Sequence, residues 1–580
     1  MKLIIGEYLS SLKERDELDA ILPDLLSEMG LTVYSKPGRG TRQDGVDVAA
    51  YGRLDETDEK VYLFSIKAGN LTRNSWDGDA LQSLRPSLNE IIDSYIPNRL
   101  PKQYKDKPIV ICLCFGGDIQ EQVRPQVEGY IEANTKNGIT FEEWNGDKLA
   151  ELILSNFLRE DLLPPEARSM LRKSLALLDE PDVSYKHFLR LVKMLTNVDD
   201  KKASDIVRAI RQLNISLWIL FSWCRESNNL EAAYLASELT LLHAWDMSKS
   251  YMGKKSKVAK EIHQTLVAIQ NLNYQVSVLY IDSKILPHTD KLYALSNAVN
   301  PSCNVDVNLK LFDVLSRLSL TGLWLRWYIH QIPEENIELQ RQATDGLHQY
   351  QLAVKQLINN NLILLTPYKD DQAIDITIAF CFLASDPSNK EYIYNWLLEL
   401  IQRARFIFIT HGRYSCNLHT YHELIEHPLE KTDSYREEVT AGSILYPYIA
   451  IFSALLGFND VYAEIQTFKS KSLSHCNFQV WYPDETSEDN LYNNGTNHGA
   501  ILSDACIDKN QDEFLDQVFK ECHETNNFTE LTAIKLGMWP IVLLACRHYR
   551  IPVPVHFLEE LRIPPLETSN TDLNTVSDSE

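Results

Sequence analysis

Residues 38–67 hold the side chains whose types and spacing could do chemistry. Gly38-Arg39-Gly40-Thr41-Arg42-Gln43-Asp44-Gly45-Val46-Asp47-Val48 reads as a glycine-loosened turn that delivers an acid, Asp47, at the start of an apolar strand. After a polar turn, Val61-Tyr62-Leu63-Phe64-Ser65-Ile66-Lys67 reads as a second apolar strand ending on a lysine. Two adjacent strands can bring that acid and that lysine to one phosphate. The carboxylate is an oxygen ligand for a hard divalent cation, and the lysine can steady a phosphate or an attacking water. Alone, an Asp before a strand is a turn or cap residue and a strand-end Lys is solvated. The inference rests on the pair and its setting.

The elements that must position this pair follow from periodicity. A helix is expected over 16–30, with Leu18, Ile21, Leu22, Leu25, Leu26 and Met29 on one stripe. After Lys67 come a helix around Gly78 to Tyr95, a strand Pro108 to Phe115, a helix around Ile119 to Asn134 and a strand Ile139 to Trp144. This α-β-β-α-β-α-β order predicts an α/β domain, a mixed central sheet flanked by helices.

The half-motifs Asp44-Gly45-Val46-Asp47 and Ser65-Ile66-Lys67, in that setting, resemble the PD-(D/E)xK nuclease superfamily, in particular its Mrr-like restriction endonuclease branch. The resemblance covers roughly residues 10 to 155. It implies metal-dependent hydrolysis of DNA with Mg²⁺ or Mn²⁺ as cofactor. It also implies an acid on the first helix, where Asp19 falls in the expected place and Glu17 is the near alternative. Asp47 with Asp19 or Glu17 would hold the metal, and Lys67 would orient water or stabilise developing charge. One position departs from the family. Ser65 stands where Glu, Asp or Gln is usual, and a hydroxyl is a poorer metal ligand than a carboxylate. Asp44, Asp77 and Asp79 are candidates for a relocated acid; otherwise Ser65 supplies a secondary contact. A second reading follows from the same serine: a domain that keeps the fold without cleaving and serves as a nucleic-acid- or partner-binding scaffold.

Charge and composition bound the partners. The chain has 580 residues and a formal net charge of −23, which argues against nucleic-acid binding over its whole surface. A local basic cleft remains compatible with that balance, because contact depends on charges near the phosphates. Lys36, Arg39 and Arg42 form such a cluster beside the proposed site, and Arg73 lies further on. These four are the candidate DNA contacts, with ordinary surface cations as the plain alternative; Trp76 reads as packing. Ten scattered cysteines without a CxxC pair suit a reducing cytosol, and Cys112 and Cys114 read as small core residues. The opening Met1-Lys2-Leu3-Ile4-Ile5-Gly6-Glu7 lacks the apolar run of a signal peptide, and the apolar stretch near Ile444 to Phe458 is too short to span a bilayer. The expectation is a cytoplasmic protein without membrane contact.

The expected organisation is a nuclease-like domain over 1–163, a helical region over 164–566 that could divide near 300 and 366, and an acidic tail over 567–580. From Ala167 on, helix-length periodic segments dominate: Tyr185 to Leu195, Ala203 to Leu213, Leu230 to Ser248, Lys257 to Leu272, Leu309 to Gln331, Glu335 to Asn359 and Lys390 to Ile409. An all-α array without a fixed repeat is expected. His411, Cys416, His419, His422 and His427 crowd one stretch but match no zinc spacing, so they read as surface or packing residues. No Walker A loop, GxGxxG or GxSxG occurs. The joining of a Mrr-like domain to a large helical region resembles bacterial restriction and antiphage-defence effectors. It implies that the helices regulate the cutter and meet a defence-system partner protein or a second copy of the chain.

Overall fold

Five strands form the N-terminal sheet: β1 (Thr32–Ser35), β2 (Val48–Gly52), β3 (Lys60–Lys67), β4 (Ile109–Phe115) and β5 (Ile139–Trp144). They lie side by side in chain order. β1, β2 and β3 are antiparallel neighbours, whereas β3, β4 and β5 run parallel. The middle strands sit where their sequences require. Val61 to Lys67 and the whole of β4 are buried, and near-continuous apolar runs belong to strands covered on both faces. The mixed sheet agrees with the expected one, with β1 as an additional edge strand. The computed structural model describes residues 5–6, 9–10, 12, 14–36, 44–54, 58–78, 83–136, 138–156, 165–197, 202–299, 301–429, 431–524 and 526–561.

Helices cover the sheet. A widened, π-type turn at Glu14–Leu18 leads into α1 (Asp19–Glu28), which buries Ile21, Leu22, Leu25 and Leu26. α2 (Arg73–Asp77) is capped by Thr72, whose hydroxyl accepts from Ser75 N at 3.2 Å. α3 (Leu84–Glu90) and α4 (Arg124–Asn134) pack Leu84, Leu88, Val123 and Val127 on Val61, Leu63, Ile111 and Leu113. On the other side of β3, the Phe64 ring meets Trp144 edge-on at 4.9 Å, and α5 (Gly146–Asn156) follows β5.

The chain divides into two compact units, 1–280 and 281–580. The first therefore includes five further helices: α6 (Pro165–Ala176), α7 (Pro181–Thr196), α8 (Ala203–Glu226), α9 (Glu231–Ser248) and α10 (Lys257–Tyr280). α8 is tied to α1 by ion pairs of Arg208 and Arg211 to Glu28, each at 3.3 Å. The boundary expected at 163 and the tail from 567 lie outside the described residues.

The second unit is built on long helices, including α11 (Asn304–Ile329), α12 (Ile337–Asn360), α13 (Ala373–Ala384), α14 (Lys390–Ile409), α15 (Leu445–Leu456) and α16 (Asn459–Ser472). It is not all-α. Gly442–Ser443 (β6), Asn477–Tyr482 (β7) and Ala500–Ser503 (β8) make a small three-stranded sheet. Its short strands lie between helices, where helical periodicity hides them. α17 (Gln511–Cys522) and α18 (Pro540–Tyr549) follow. Near position 366 the chain is held inside this unit: the Asn308 side-chain amide donates to Thr366 O at 2.9 Å. Several buried charges are paired. Asp313 meets Arg317 at 2.8 Å and Arg547 at 2.6 Å, and Arg550 meets Asp375 at 2.9 Å.

Gly45 shows how tightly the turn before β2 is specified. Its φ is +80°, and a Cβ there would lie 2.0 Å from Ser87 O. Gly45→Ala should cost about 2–4 kcal/mol, combining left-handed strain with a backbone clash. The measurement is amide hydrogen exchange in β2 and β3; unchanged protection would contradict this account.

Candidate active site

Antiparallel pairing of β2 with β3 puts Val48 opposite Phe64, so Asp47 falls opposite Ser65. Alternation along β3 then sends Ser65 and Lys67 to one side, the side of Val61 and Leu63. The pairing extends into Asp47 itself. Its backbone N–H donates to Phe64 O at 2.8 Å, and its Oδ2 accepts from Ile66 N at 2.7 Å. One carboxylate oxygen is thus fixed by strand backbone. Lys67 is buried, and its Nζ reaches Glu14 Oε1 at 3.3 Å and Oε2 at 3.4 Å.

The electrostatics join these groups. Burial pushes the Asp47 carboxyl up to about 6; the Ile66 N–H and the Lys67 charge pull the other way, and the Glu14 charge raises it further. Ser65 is fully buried, and its Oγ has no hydrogen-bond partner among the described residues. An orphaned hydroxyl opposite Asp47 is an unusual expense in a strand interior.

The structure brings together Asp47, Ser65 and Lys67. The acid it adds is Glu14, not Asp19. Asp19 instead lines a cavity of about 700 Å³ with Asp24, Lys36, Trp218 and Gln264. The Glu17 side chain lies outside the described residues. Glu14 belongs to the widened turn, which changes the angular step per residue, so extrapolating the α-helical phase back from Ile21 misses it. Its only sequence signal is the run Glu14-Arg15-Asp16-Glu17 ahead of the apolar stripe.

The candidates for a relocated acid are not gathered at the site. Asp44, at φ +48°, pairs with Arg99 at 2.6 Å, and Asp77 pairs with Arg85 at 2.6 Å. Asp79 lies outside the described residues, as do Arg39 and Arg42. Lys36 does not face Lys67; its Nζ donates to Gln264 Oε1 at 3.1 Å. Arg73 is exposed, at the rim of a shallow cleft with Asn74, Asp77 and Gln120. Trp76 is buried edge-on against Tyr130 at 5.6 Å. In the second unit, His427 is buried and contacts the Tyr435 hydroxyl and Tyr414 O, each at 3.2 Å; burial pushes its pKa down to about 4.

Among the described residues no three His, Cys, Asp or Glu side chains are grouped to hold a metal ion. Asp47 and Glu14 nonetheless fit Mg²⁺, which commonly takes one or two protein carboxylates and completes its shell with water and substrate phosphate. The Glu14 charge opposes ionisation of Asp47, a penalty that a cation held there would relieve.

The raised Asp47 pKa gives a pH dependence with a definite sign. The folded state holds a proton that the unfolded chain releases near pH 4. This group's contribution to stability is therefore present below about pH 4 and lost as pH rises through about 6. A bound divalent cation needs the ionised form, so its affinity should fall as pH drops below 6, approaching about tenfold per unit. Calorimetric Mg²⁺ titrations at pH 5 and 7.5 measure this, and equal affinities would count against Asp47 as a ligand.

Comparison of the chain with family models, with curated proteins and with solved structures finds no match.

Proposed function

We propose that this protein is a divalent-metal-dependent DNA endonuclease. The observation that carries the reading is the convergence of Asp47, Ser65 and Lys67 with Glu14 at the ends of β2 and β3. Asp47 and Glu14 would hold the cation, and Asp47 is the better fixed because Ile66 N–H locks one of its oxygens. A bound Mg²⁺ would polarise the phosphodiester and make an attacking water more acidic. Lys67 would hold a non-bridging phosphate oxygen or the attacking water. Its burial and its pairing with Glu14 limit the positions its ammonium takes. The Ser65 hydroxyl would supply a hydrogen bond to the same cluster.

Asp47→Ala and Lys67→Ala should each reduce cleavage of plasmid DNA in Mg²⁺ or Mn²⁺ by at least about 100-fold without unfolding the protein. Cleavage by either purified variant at the wild-type rate would remove this site from consideration. Glu14→Gln should raise the metal concentration for half-maximal cleavage, whereas Asp19→Asn should leave it unchanged. Ser65→Glu should lower that concentration, since it adds a carboxylate to the ligand set.

The second reading, a domain that binds nucleic acid or a protein without cutting, is favoured by one observation: the position opposite Asp47 carries a buried hydroxyl and no carboxylate. Wild-type protein that binds DNA but cuts nothing in Mg²⁺ or Mn²⁺ would select it.

To the second unit, residues 281–580, we assign a regulatory or assembling role in a defence effector. A chain ended after Tyr280, which keeps the Glu28 ion pairs, should cut without a trigger if the helices inhibit, or fold and fail to cut if they assemble the active form. A rate and salt dependence equal to those of the full chain would end this assignment.

A further inference from the structure

Lys67 is the cation of the proposed site, and its ammonium already has an occupant. Only 9 % of its side chain is exposed, and its Nζ lies 3.3 and 3.4 Å from the two carboxylate oxygens of Glu14. Among the described residues no other group accepts a hydrogen bond from it. Asp47, on the neighbouring strand, reaches Lys67 by its charge and not by a hydrogen bond; its Oδ2 is engaged by Ile66 N–H at 2.7 Å.

Glu14 is the outer member of the pair. Its side chain is 32 % exposed, and it belongs to the widened turn Glu14–Leu18, not to the sheet. It therefore stands on the solvent side of a buried ammonium. Both contacts are longer than the roughly 2.7–2.9 Å usual for a charged N–H donor on a carboxylate, so neither fixes Glu14 strongly in place.

A carboxylate and a DNA phosphate compete for the same N–H donors, because both are anionic acceptors. With no cation in the site, a phosphate approaching Lys67 has to displace Glu14. It also meets the carboxylates of Glu14 and Asp47 at close range, where poor solvation makes like charges repel strongly. Once Glu14 serves as a metal ligand, its hold on the ammonium weakens and that repulsion falls.

We infer that Glu14 is a gate on Lys67: in the metal-free protein its carboxylate occupies the ammonium that a DNA phosphate would take, and it releases that ammonium on turning to a divalent cation. The inference rests on the DNA reading proposed above and adds to it an order of binding, cation before DNA. Glu14 thereby makes engagement of DNA by this site conditional on the metal.

Binding of a fluorescent DNA duplex to the full-length protein in EDTA tests it, with Glu14→Gln, Lys67→Met and the two combined. Glu14→Gln keeps the shape of the side chain and frees the ammonium. It should tighten metal-free binding at least about tenfold and steepen the fall of log affinity with log salt by about 0.9, the mark of one additional phosphate contact. Lys67→Met should change wild-type binding in EDTA by less than about threefold, because an ammonium already held contributes little, yet it should erase the gain in the Glu14→Gln chain. Glu59→Gln, which removes an acid at the opposite end of β3, should leave binding near the wild-type value. The gate is overturned if Glu14→Gln binds no better than wild type or Glu59→Gln, or if its gain survives Lys67→Met. It is also overturned if Lys67→Met alone weakens metal-free binding at least about tenfold, since phosphate would then reach the ammonium with Glu14 in place. This last comparison needs no Glu14 variant and decides the matter should Glu14→Gln unfold. If no chain binds the duplex with or without Mg²⁺, the DNA reading falls and the gate with it. Cleavage by the wild type in Mg²⁺ together with no gain in Glu14→Gln removes the gate alone.

Discussion

The hydrogen bond from Ile66 N–H to Asp47 Oδ2 is the contact on which the rest of the site depends. It lets a side chain continue the β2–β3 ladder one residue beyond the strand, so the register of two antiparallel strands becomes the position of a carboxylate. A one-residue slip would turn Ser65 and Lys67 to the opposite face of the sheet and part them from Asp47. The same bond draws Asp47 out of water, and burial is the main reason its carboxyl resists ionisation. Structure and electrostatics are therefore coupled: the geometry that orients the carboxylate also leaves it in need of a positive charge.

That need is met in part by Lys67, whose own burial is made tolerable by Glu14. Asp47, Lys67 and Glu14 form a chain of alternating charge in a poorly solvated place, where each member lowers the cost of its neighbour. Ser65 stays outside this exchange, with a hydroxyl that finds no partner among the described residues. Buried polar groups without a partner are uncommon in folded proteins.

α1 gives the first unit its second organising feature. The widened turn ahead of it supplies Glu14 to the sheet, its first turns line the cavity through Asp19 and Asp24, and its end is clamped by Arg208 and Arg211 on Glu28. The helix and the turn that leads into it thus face three environments. The apolar stripe of α1 fixes which side meets the sheet, and the remaining positions serve the cavity and the ion pairs.

The sequence alone determined the elements with strong local signals. The apolar runs of β3 and β4, the helices read over 257–272, 335–359 and 390–409, and the pairing of Asp47 with Lys67 on neighbouring strands were legible because each follows from periodicity or turn chemistry within a short window, though the first of these helices runs on to Tyr280. The tertiary structure decided what depends on distant partners. β1 has four residues and is defined by its antiparallel pairing with β2. The sheet of β6, β7 and β8 joins strands that begin at 442, 477 and 500, so it exists only through pairing between distant segments. Glu14 replaced Asp19 beside Lys67 because a widened turn broke the helical phase. Lys36 donates to Gln264, 228 residues away, an acceptor that no local pattern names. Local pattern sets which side chains can face one another, and long-range packing selects the ones that do.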